Sequence, residues 1–162
     1  MVVKTSRAIP FQLDLAYFGF FLGLRVNELV LRRMTAAGFE GVRESHGYVI
    51  QHLIESQRSI TELARRMGVT QQAASKTVAE LIGIGILEAA SAKDRRSKCI
   101  GLSRRGWQAV RLGRRARNQI EQRLVATVGK RNYAKAKATL LACLRDLGGI
   151  ERIRSRQIRQ PR

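Results

Sequence analysis

The sequence of 162 residues is poor in the residue types that build several common kinds of site. Its two cysteines cannot form a disulfide scaffold, and its two histidines leave little for a histidine-rich metal site. Two prolines and the lack of repeats exclude collagen-like and proline-rich proteins. No nucleophile, acid–base pair, nucleotide-binding loop or metal-ligand cluster stands out, so we expect a protein that is not an enzyme and needs no metal or cofactor.

Acidic residues are also scarce, since 12 Asp and Glu face 31 Lys and Arg, which gives a net charge of +19. A surface this basic attracts phosphate and predicts a polyanionic partner. The excess is uneven: residues 104–162 hold 17 basic and 3 acidic residues, or +14, whereas residues 1–103 hold 14 and 9, or +5.

One apolar stretch, residues 15–24, follows Lys4 and Arg7 and resembles part of a signal peptide. Arg25-Val26-Asn27-Glu28 comes after it instead of a small-residue cleavage site, and the stretch has about half the length of a membrane-spanning helix. We therefore expect a buried helix, no membrane association and a cytoplasmic protein.

Residues 11–37 have the periodicity of one long helix that is apolar on most of its sides. Such a helix needs burial on most sides, and a lone chain of this size hardly supplies it. Gly19 and Gly23, one turn apart, would permit close helix contact. A second subunit is the expected partner, and tight packing within one subunit is the alternative.

Residues 59–84 carry the pattern of a helix-turn-helix. Ser59 can cap a short helix with Glu62 as its capping-box partner, and Gly68 suits the tight turn that follows. Thr70 can cap a second helix that extends to about residue 84. Because Ala74, Val78 and Leu81 form the apolar side of that helix, its polar residues would face a DNA groove.

A hairpin follows, with strands near residues 86–90 and 98–102 and a basic tip at residues 91–97. A helix-turn-helix followed by such a hairpin is a winged helix. Residues 103–128 and 132–147 are predicted to form two more helices, and residues 149–162 look like a basic, disordered tail. The predicted fold is mostly α with a small β-hairpin wing.

Over residues 11–147 the chain resembles the MarR family of winged-helix transcriptional regulators. The strongest stretch is ITELARRMGVTQQAASKTVAELIGIGILEAASAKDRRSKCIGLSRRG, residues 60–106. Its most specific feature is Asp94-Arg95-Arg96 in the wing, followed by Leu102-Ser103 and Gly106. The resemblance implies a homodimer held by the first helix and the last two, with small aromatic or lipophilic molecules, or oxidants, sensed in the cleft between those helices and the DNA-binding lobe.

The resemblance also assigns the DNA-binding residues. The recognition helix would contact DNA through Thr70, Gln71, Gln72, Ser75 and Lys76. The wing would contribute Lys93, Asp94, Arg95 and Arg96, with Arg96 in the minor groove and Asp94 holding it. Arg104 and Arg105 follow the wing and are candidates for phosphate contacts.

Several other side chains are candidates for a sensor or ligand site, each with a plainer alternative. Tyr48, His46 and His52 are candidates for the ligand pocket, although an aromatic or histidine at such a position is more often part of the core. Cys99, beside basic residues, is a candidate redox sensor, whereas Cys143 among leucines is expected to be a small buried apolar residue.

We therefore expect an N-terminal arm and dimerisation helix in residues 1–40, a winged helix-turn-helix lobe in residues 41–102 and C-terminal dimerisation helices in residues 103–148. The expected function is a sequence-specific regulator, a repressor, that binds a palindromic operator in double-stranded DNA as a homodimer and is released by a small molecule. Two alternatives stay open: a sequence-tolerant architectural DNA-binding protein, and an RNA-associated basic protein.

Overall fold

The computed structural model describes residues 13–90 and 99–155. Its helices are α1 (Leu15–Ala36), α2 (His46–Leu53), α3 (Ile60–Met67), α4 (Gln71–Gly83), α5 (Arg104–Val128), α6 (Lys130–Asp146) and α7 (Ile150–Ser155). Its strands are β1 (Arg58–Ser59), β2 (Leu87–Ala90) and β3 (Cys99–Leu102). This mostly helical architecture with a small sheet confirms the predicted fold class.

Helix α1 begins four residues later than the periodicity predicted. Asp14 has an extended backbone, and its carboxylate accepts a hydrogen bond from the Tyr17 amide at 2.9 Å. A carboxylate in this position satisfies one of the unpaired amides of the first turn and fixes the start of the helix. Only Val30 and Met34, in the C-terminal half of α1, are fully buried.

The helix-turn-helix forms as its capping residues predicted. The Ser59 hydroxyl accepts from the Glu62 amide at 3.2 Å, and the Thr70 hydroxyl accepts from the Ala73 amide at 3.2 Å. Gly68 ends α3 in the left-handed conformation, with φ of 67°, which a residue with a side chain rarely adopts. The turn thereby directs α4 against α3, and Ala64 of α3 is buried at 5% exposure.

The three strands form one antiparallel sheet in the order β1-β3-β2. Leu87 pairs with Leu102 in the hairpin, and Arg58 pairs with Ile100 on the other side of β3. The strand before α3 thus pairs with the end of β3 nearest the hairpin tip, a pairing that the sequence did not predict. The hairpin tip, residues 91–98, lies outside the described residues.

The C-terminal helices differ from the prediction at two points. Helix α6 begins at Lys130, directly after Gly129, two residues earlier than expected. Residues 150–155, which we expected to belong to a disordered tail, form α7, while residues 156–162 lie outside the described part of the chain. Ser103 caps α5 as predicted, with its hydroxyl accepting from the Gly106 amide at 2.9 Å.

One hydrophobic core joins the elements from α1 to α5. It includes Val49 and Leu53 of α2, Leu63 of α3, Leu81 of α4 and Ile120 of α5. By contrast, no residue of α6 is buried. The core therefore fixes the helix-turn-helix against the C-terminal half of α1 and the facing side of α5, and leaves α6 and the start of α1 outside it.

Candidate nucleic-acid interface and neighbouring cavity

Helix α4 presents a polar face to the solvent and an apolar face to the core. Its buried side chains are Ala74, Val78 and Leu81. The residues predicted to read DNA are all exposed at its N-terminal end. They are the capping residue, Thr70, and four residues of the helix itself: Gln71, Gln72, Ser75 and Lys76. The structure therefore brings these predicted residues together on one accessible surface, whose amides, hydroxyls and ammonium can contact base edges and phosphates.

A cluster of polar side chains ties the other end of α4 to the start of α2. The guanidinium of Arg43 is paired with the carboxylate of Glu80, which lies in α4. The His46 ring is buried, with Nε2 3.3 Å from Oε2 of Glu80, and its Nδ1 accepts from the Arg43 amide at 3.2 Å. The contact with His46, together with the Arg43 guanidinium, holds the pKa of the Glu80 carboxyl below its usual value.

The wing residues Lys93, Asp94, Arg95 and Arg96 lie outside the described residues, so their predicted roles stay predictions. The strands that carry the tip are described, and β3 is buried along Ile100, Gly101 and Leu102. Cys99, at the start of β3, is partly buried, as is Cys143 in α6, and both thiols are free.

The two arginines after the wing differ in their surroundings. Arg104 is exposed in the first turn of α5 and stays a candidate for a phosphate contact. Arg105 donates to the Gly38 carbonyl at 2.6 Å, and its guanidinium lies 4.8 Å from the centre of the Phe39 ring. Arg105 therefore already binds the turn after α1, which the sequence gave no sign of, because these partners are more than sixty residues away.

A cavity of about 540 Å³ lies between α1, α2 and α5. Tyr48 lines it, whereas His46 and His52 do not. Both histidines are buried in the core instead: His46 reaches Glu80, and the carbonyl of His52 accepts from Arg58 Nε at 2.9 Å. Of the three residues predicted for the ligand pocket, only Tyr48 is at the cavity.

Charged residues line the cavity as well. Arg43, Glu44, Arg114 and Arg117 all line it. Arg117 donates to the Asn27 side chain at 3.0 Å, and Asn27 donates to Glu44 at 2.7 Å. Arg114 and Arg117 lie three residues apart in an arginine-rich part of α5, a pattern that indicates either a solvated helix face or the lining of a cleft for an anionic ligand.

Within residues 13–90 and 99–155, no three His, Cys, Asp or Glu side chains converge as metal ligands. No helix among those residues combines the length and the apolarity that crossing a bilayer requires.

Comparisons with known proteins agree with this geometry. The MarR family model matches residues 40–97, from the connection between α1 and α2 into the predicted wing. No curated protein matches the chain by sequence. Among solved structures, MepR of Staphylococcus aureus, described as a transcription regulator of the multidrug efflux pump MepA, superimposes with a TM-score of 0.66 at 17% identity, covering 83% of this chain and 99% of MepR.

Two further structures have the same fold. The MepR–DNA complex of S. aureus gives a TM-score of 0.65 at 19% identity, covering 82% of this chain and 98% of that one. The YusO protein of Bacillus subtilis gives 0.63 at 21% identity, covering 82% and 93%. At such identities these structures show that the fold is shared.

The exposed face of α4, set in a winged helix, defines the class of this protein as a DNA-binding transcriptional regulator. The match of the MarR family model to residues 40–97 confirms the resemblance seen in the sequence.

Proposed function

We propose that this protein is a sequence-specific repressor that binds a palindromic operator as a homodimer in the cytoplasm, and that a small aromatic or lipophilic molecule releases it. The observation that carries the proposal is the polar surface at the start of α4, where Gln71, Gln72, Ser75 and Lys76 are exposed together above a buried apolar face. Amide side chains in this position pair with adenine edges, and lysine pairs with guanine or phosphate.

The apolar surface that one chain leaves exposed supports the homodimer. Large apolar side chains of α1 are 40–61% exposed, at Leu15, Tyr17, Phe18, Phe20, Phe21, Leu22 and Leu24. Leu140, Leu141 and Leu144 of α6 are also exposed. Exposed apolar surface on a helix is typical of a subunit interface, and a second copy would supply the missing side of each helix.

The cavity supports a small-molecule effector. It is bounded by α1 and α5, which belong to the proposed dimer region, and by α2, which touches both other helices of the DNA-binding lobe. A molecule bound here would favour one spacing of these elements over another, and only such a preference changes the affinity for DNA.

Selection of bound sequences from a random DNA pool, at about 150 mM salt, tests the proposal. We expect a palindromic site and protection of its two halves. Gln72→Ala should flatten the preference at one base position in each half-site by about 1–3 kcal/mol and change nonspecific binding less. Gln122→Ala is the matched control, because Gln122 is also exposed but lies on α5, outside the recognition helix.

An architectural role is the second candidate, and the concentration of charge in residues 104–162 favours it. A protein of that kind would return no consensus sequence from the pool, and its affinity would follow the salt concentration alone. Unchanged sequence preference in Gln72→Ala, Gln71→Ala, Ser75→Ala and Lys76→Ala would contradict the proposed role of α4.

The wing is proposed to add a minor-groove contact. Arg96→Ala should weaken operator binding and reduce the salt dependence by up to about one phosphate equivalent. Asp94→Ala should also weaken specific binding, although it raises the net charge, because the carboxylate restricts the arginine. If Asp94→Ala tightened specific and nonspecific binding equally, the pairing of these two side chains would be wrong.

A further inference from the structure

Helix α5 carries a row of arginines that operator binding does not use. Residues 104–120 hold six arginines and no acidic residue. Three of the six bind a neighbouring element or line the cavity, as described above. The other three are Arg104, Arg111 and Arg115, which are exposed and make no ion pair within the part of the chain that the structure describes.

These three arginines lie on one side of the helix. At about 100° and 1.5 Å per residue, they fall within about 40° of one another around the axis and span about 16 Å along it. The buried side chains of α5 are on its other side: Ala109, Val110, Ala116 and Ile120. The exposed side, which we call the arginine face, consists of Arg104, Gln108, Arg111, Arg115 and Asn118.

The arginine face and the recognition helix are separate surfaces. Helix α5 packs against α1, whereas α4 packs against α3 and β2. The charge is also divided between them unequally, since residues 104–162 carry +14 and residues 1–103, which include the whole predicted winged helix, carry +5. A protein that bound DNA only through α4 and the wing would have no use for most of its charge.

We propose that the arginine face binds the phosphate backbone of a second DNA duplex, so that a dimer on its operator also holds another segment of double-stranded DNA. The recognition helix would select the sequence, and α5 would bind its duplex without regard to sequence. This inference rests on the proposed function for the first duplex and adds a second partner, bound at a different surface.

The dimensions and chemistry of the arginine face suit a duplex. Double-stranded DNA carries one negative charge about every 1.7 Å along its axis, so a row of arginines about 16 Å long meets phosphate along its whole length. Guanidinium groups bind phosphate oxygens through two parallel hydrogen bonds. Gln108 and Asn118 can donate to the same backbone, and neither excludes any base sequence.

Other occupants fit the arginine face less well. In a symmetric dimer, an interface formed by this face would place it against its own copy, and the like charges would repel each other. A helix that lies in a membrane surface carries large apolar side chains along one whole side, whereas the arginine face has amides between its arginines and the core behind them.

The test measures binding of a second duplex to the full-length protein on its operator. A donor-labelled operator duplex, in slight excess over the dimer, leaves no recognition helix free at about 100 mM salt, and an acceptor-labelled duplex of unrelated sequence is then titrated. Energy transfer should saturate with a dissociation constant of about 1–100 μM, the range of nonspecific binding. The absence of saturable transfer in the wild type would overturn the proposal.

Two charge-matched double variants separate a binding surface from general attraction. Arg111→Gln with Arg115→Gln should weaken binding of the second duplex at least roughly tenfold and reduce its salt dependence by about two phosphate equivalents. Arg123→Gln with Lys130→Gln removes the same charge from exposed positions outside the arginine face and should stay within about twofold of the wild type. Glutamine is a good helix former, and circular dichroism should confirm that both variants stay folded.

Operator affinity provides the second readout of the same variants. Arg111→Gln with Arg115→Gln should bind the operator within about threefold of the wild type, because α4 and the wing are intact. Equal loss of the second duplex in both double variants would show that net charge alone attracts it, and the arginine face would be wrong. Capture of the wild type by phosphatidylserine vesicles, with no binding of a second duplex, would assign the face to membranes and equally overturn the proposal.

The outcomes distinguish this inference from the proposed function. Failure to select any operator would count against a sequence-specific repressor, and the titration would then use two unrelated duplexes, where the two double variants still test the arginine face. If the operator binds and no second duplex joins it, the arginine face is wrong and the repressor is not.

Discussion

Gly106 occupies the junction between the DNA-binding lobe and α5, where the backbone leaves no room for a side chain. It is the third residue of α5, and its amide donates to the capping Ser103 hydroxyl. A Cβ atom at this position would lie 2.2 Å from the Ile86 carbonyl oxygen and 3.1 Å from the Leu102 side chain. The Ile86 oxygen also accepts from the Ser103 amide at 3.1 Å, so it is held in place.

We predict that Gly106→Ala destabilises the protein by about 1–4 kcal/mol. A contact of 2.2 Å is about 1 Å closer than a carbon and an oxygen tolerate, so backbone must move, and overpacking of this kind costs roughly 1–3 kcal/mol. Displacing Ile86 would also weaken its hydrogen bond with Ser103, worth about 0.5–1.5 kcal/mol. The better helix propensity of alanine offsets up to about 1 kcal/mol of this loss.

Urea unfolding followed by circular dichroism, at one fixed protein concentration, measures the effect, because the stability of a dimer depends on concentration. Gly113→Ala in the same helix is the matched control. There the new Cβ would meet only the Met34 sulfur, at 4.0 Å, so we expect a gain of about 0.5–1 kcal/mol. If Gly106→Ala unfolded at or above the wild-type urea midpoint, the close approach at this junction would be refuted.

Two further predictions concern the lobe and the dimer. Hydrogen bonds from Arg66 and Arg58 hold the pKa of the Glu62 carboxyl below 4.5, so this carboxylate stabilises the fold above that pH and loses its effect as the pH falls through the lower, folded-state value. Glu62→Gln should therefore cost about 1 kcal/mol in urea unfolding at pH 7 and little at low pH; an equal cost at both would contradict the charge pairing. Phe21→Asp should weaken the dimer at least roughly tenfold in sedimentation, without loss of helical signal, and an unchanged dimer constant would contradict the proposed interface.

The parts of the fold that the sequence predicted are those set by neighbours along the chain. Ser59, Thr70 and Ser103 each cap a helix three residues ahead of the amide that they bind, so the signal and its effect lie within one turn. The exposed and buried sides of α4 follow from the same short spacing. Asp14 is an exception. It caps α1, but the apolar periodicity continues on both sides of it and therefore predicted a helix that begins at residue 11.

The parts that the sequence did not predict depend on contacts between distant residues. The sequence offered His46 and His52, together with Tyr48, as candidates for the ligand pocket, yet burial in the core separates both histidines from the cavity. Whether a histidine faces a cavity or a carboxylate depends on how α2 rotates against α4. That rotation is set by the packing of Val49 and Leu53, and periodicity alone does not specify what they pack against.

The partners of long arginine side chains are the hardest of these distant contacts to predict from the sequence. Position in the chain suggested that Arg104 and Arg105, as neighbours after the wing, would have the same role. They point in directions about 100° apart on a helix, so one stays in the solvent while the other reaches the Gly38 carbonyl and the Phe39 ring. Arg43 was not singled out at all, because nothing near it in the sequence reveals Glu80. A basic residue gains a specific role from its partner, and net charge, however large, indicates only the kind of molecule that the protein attracts.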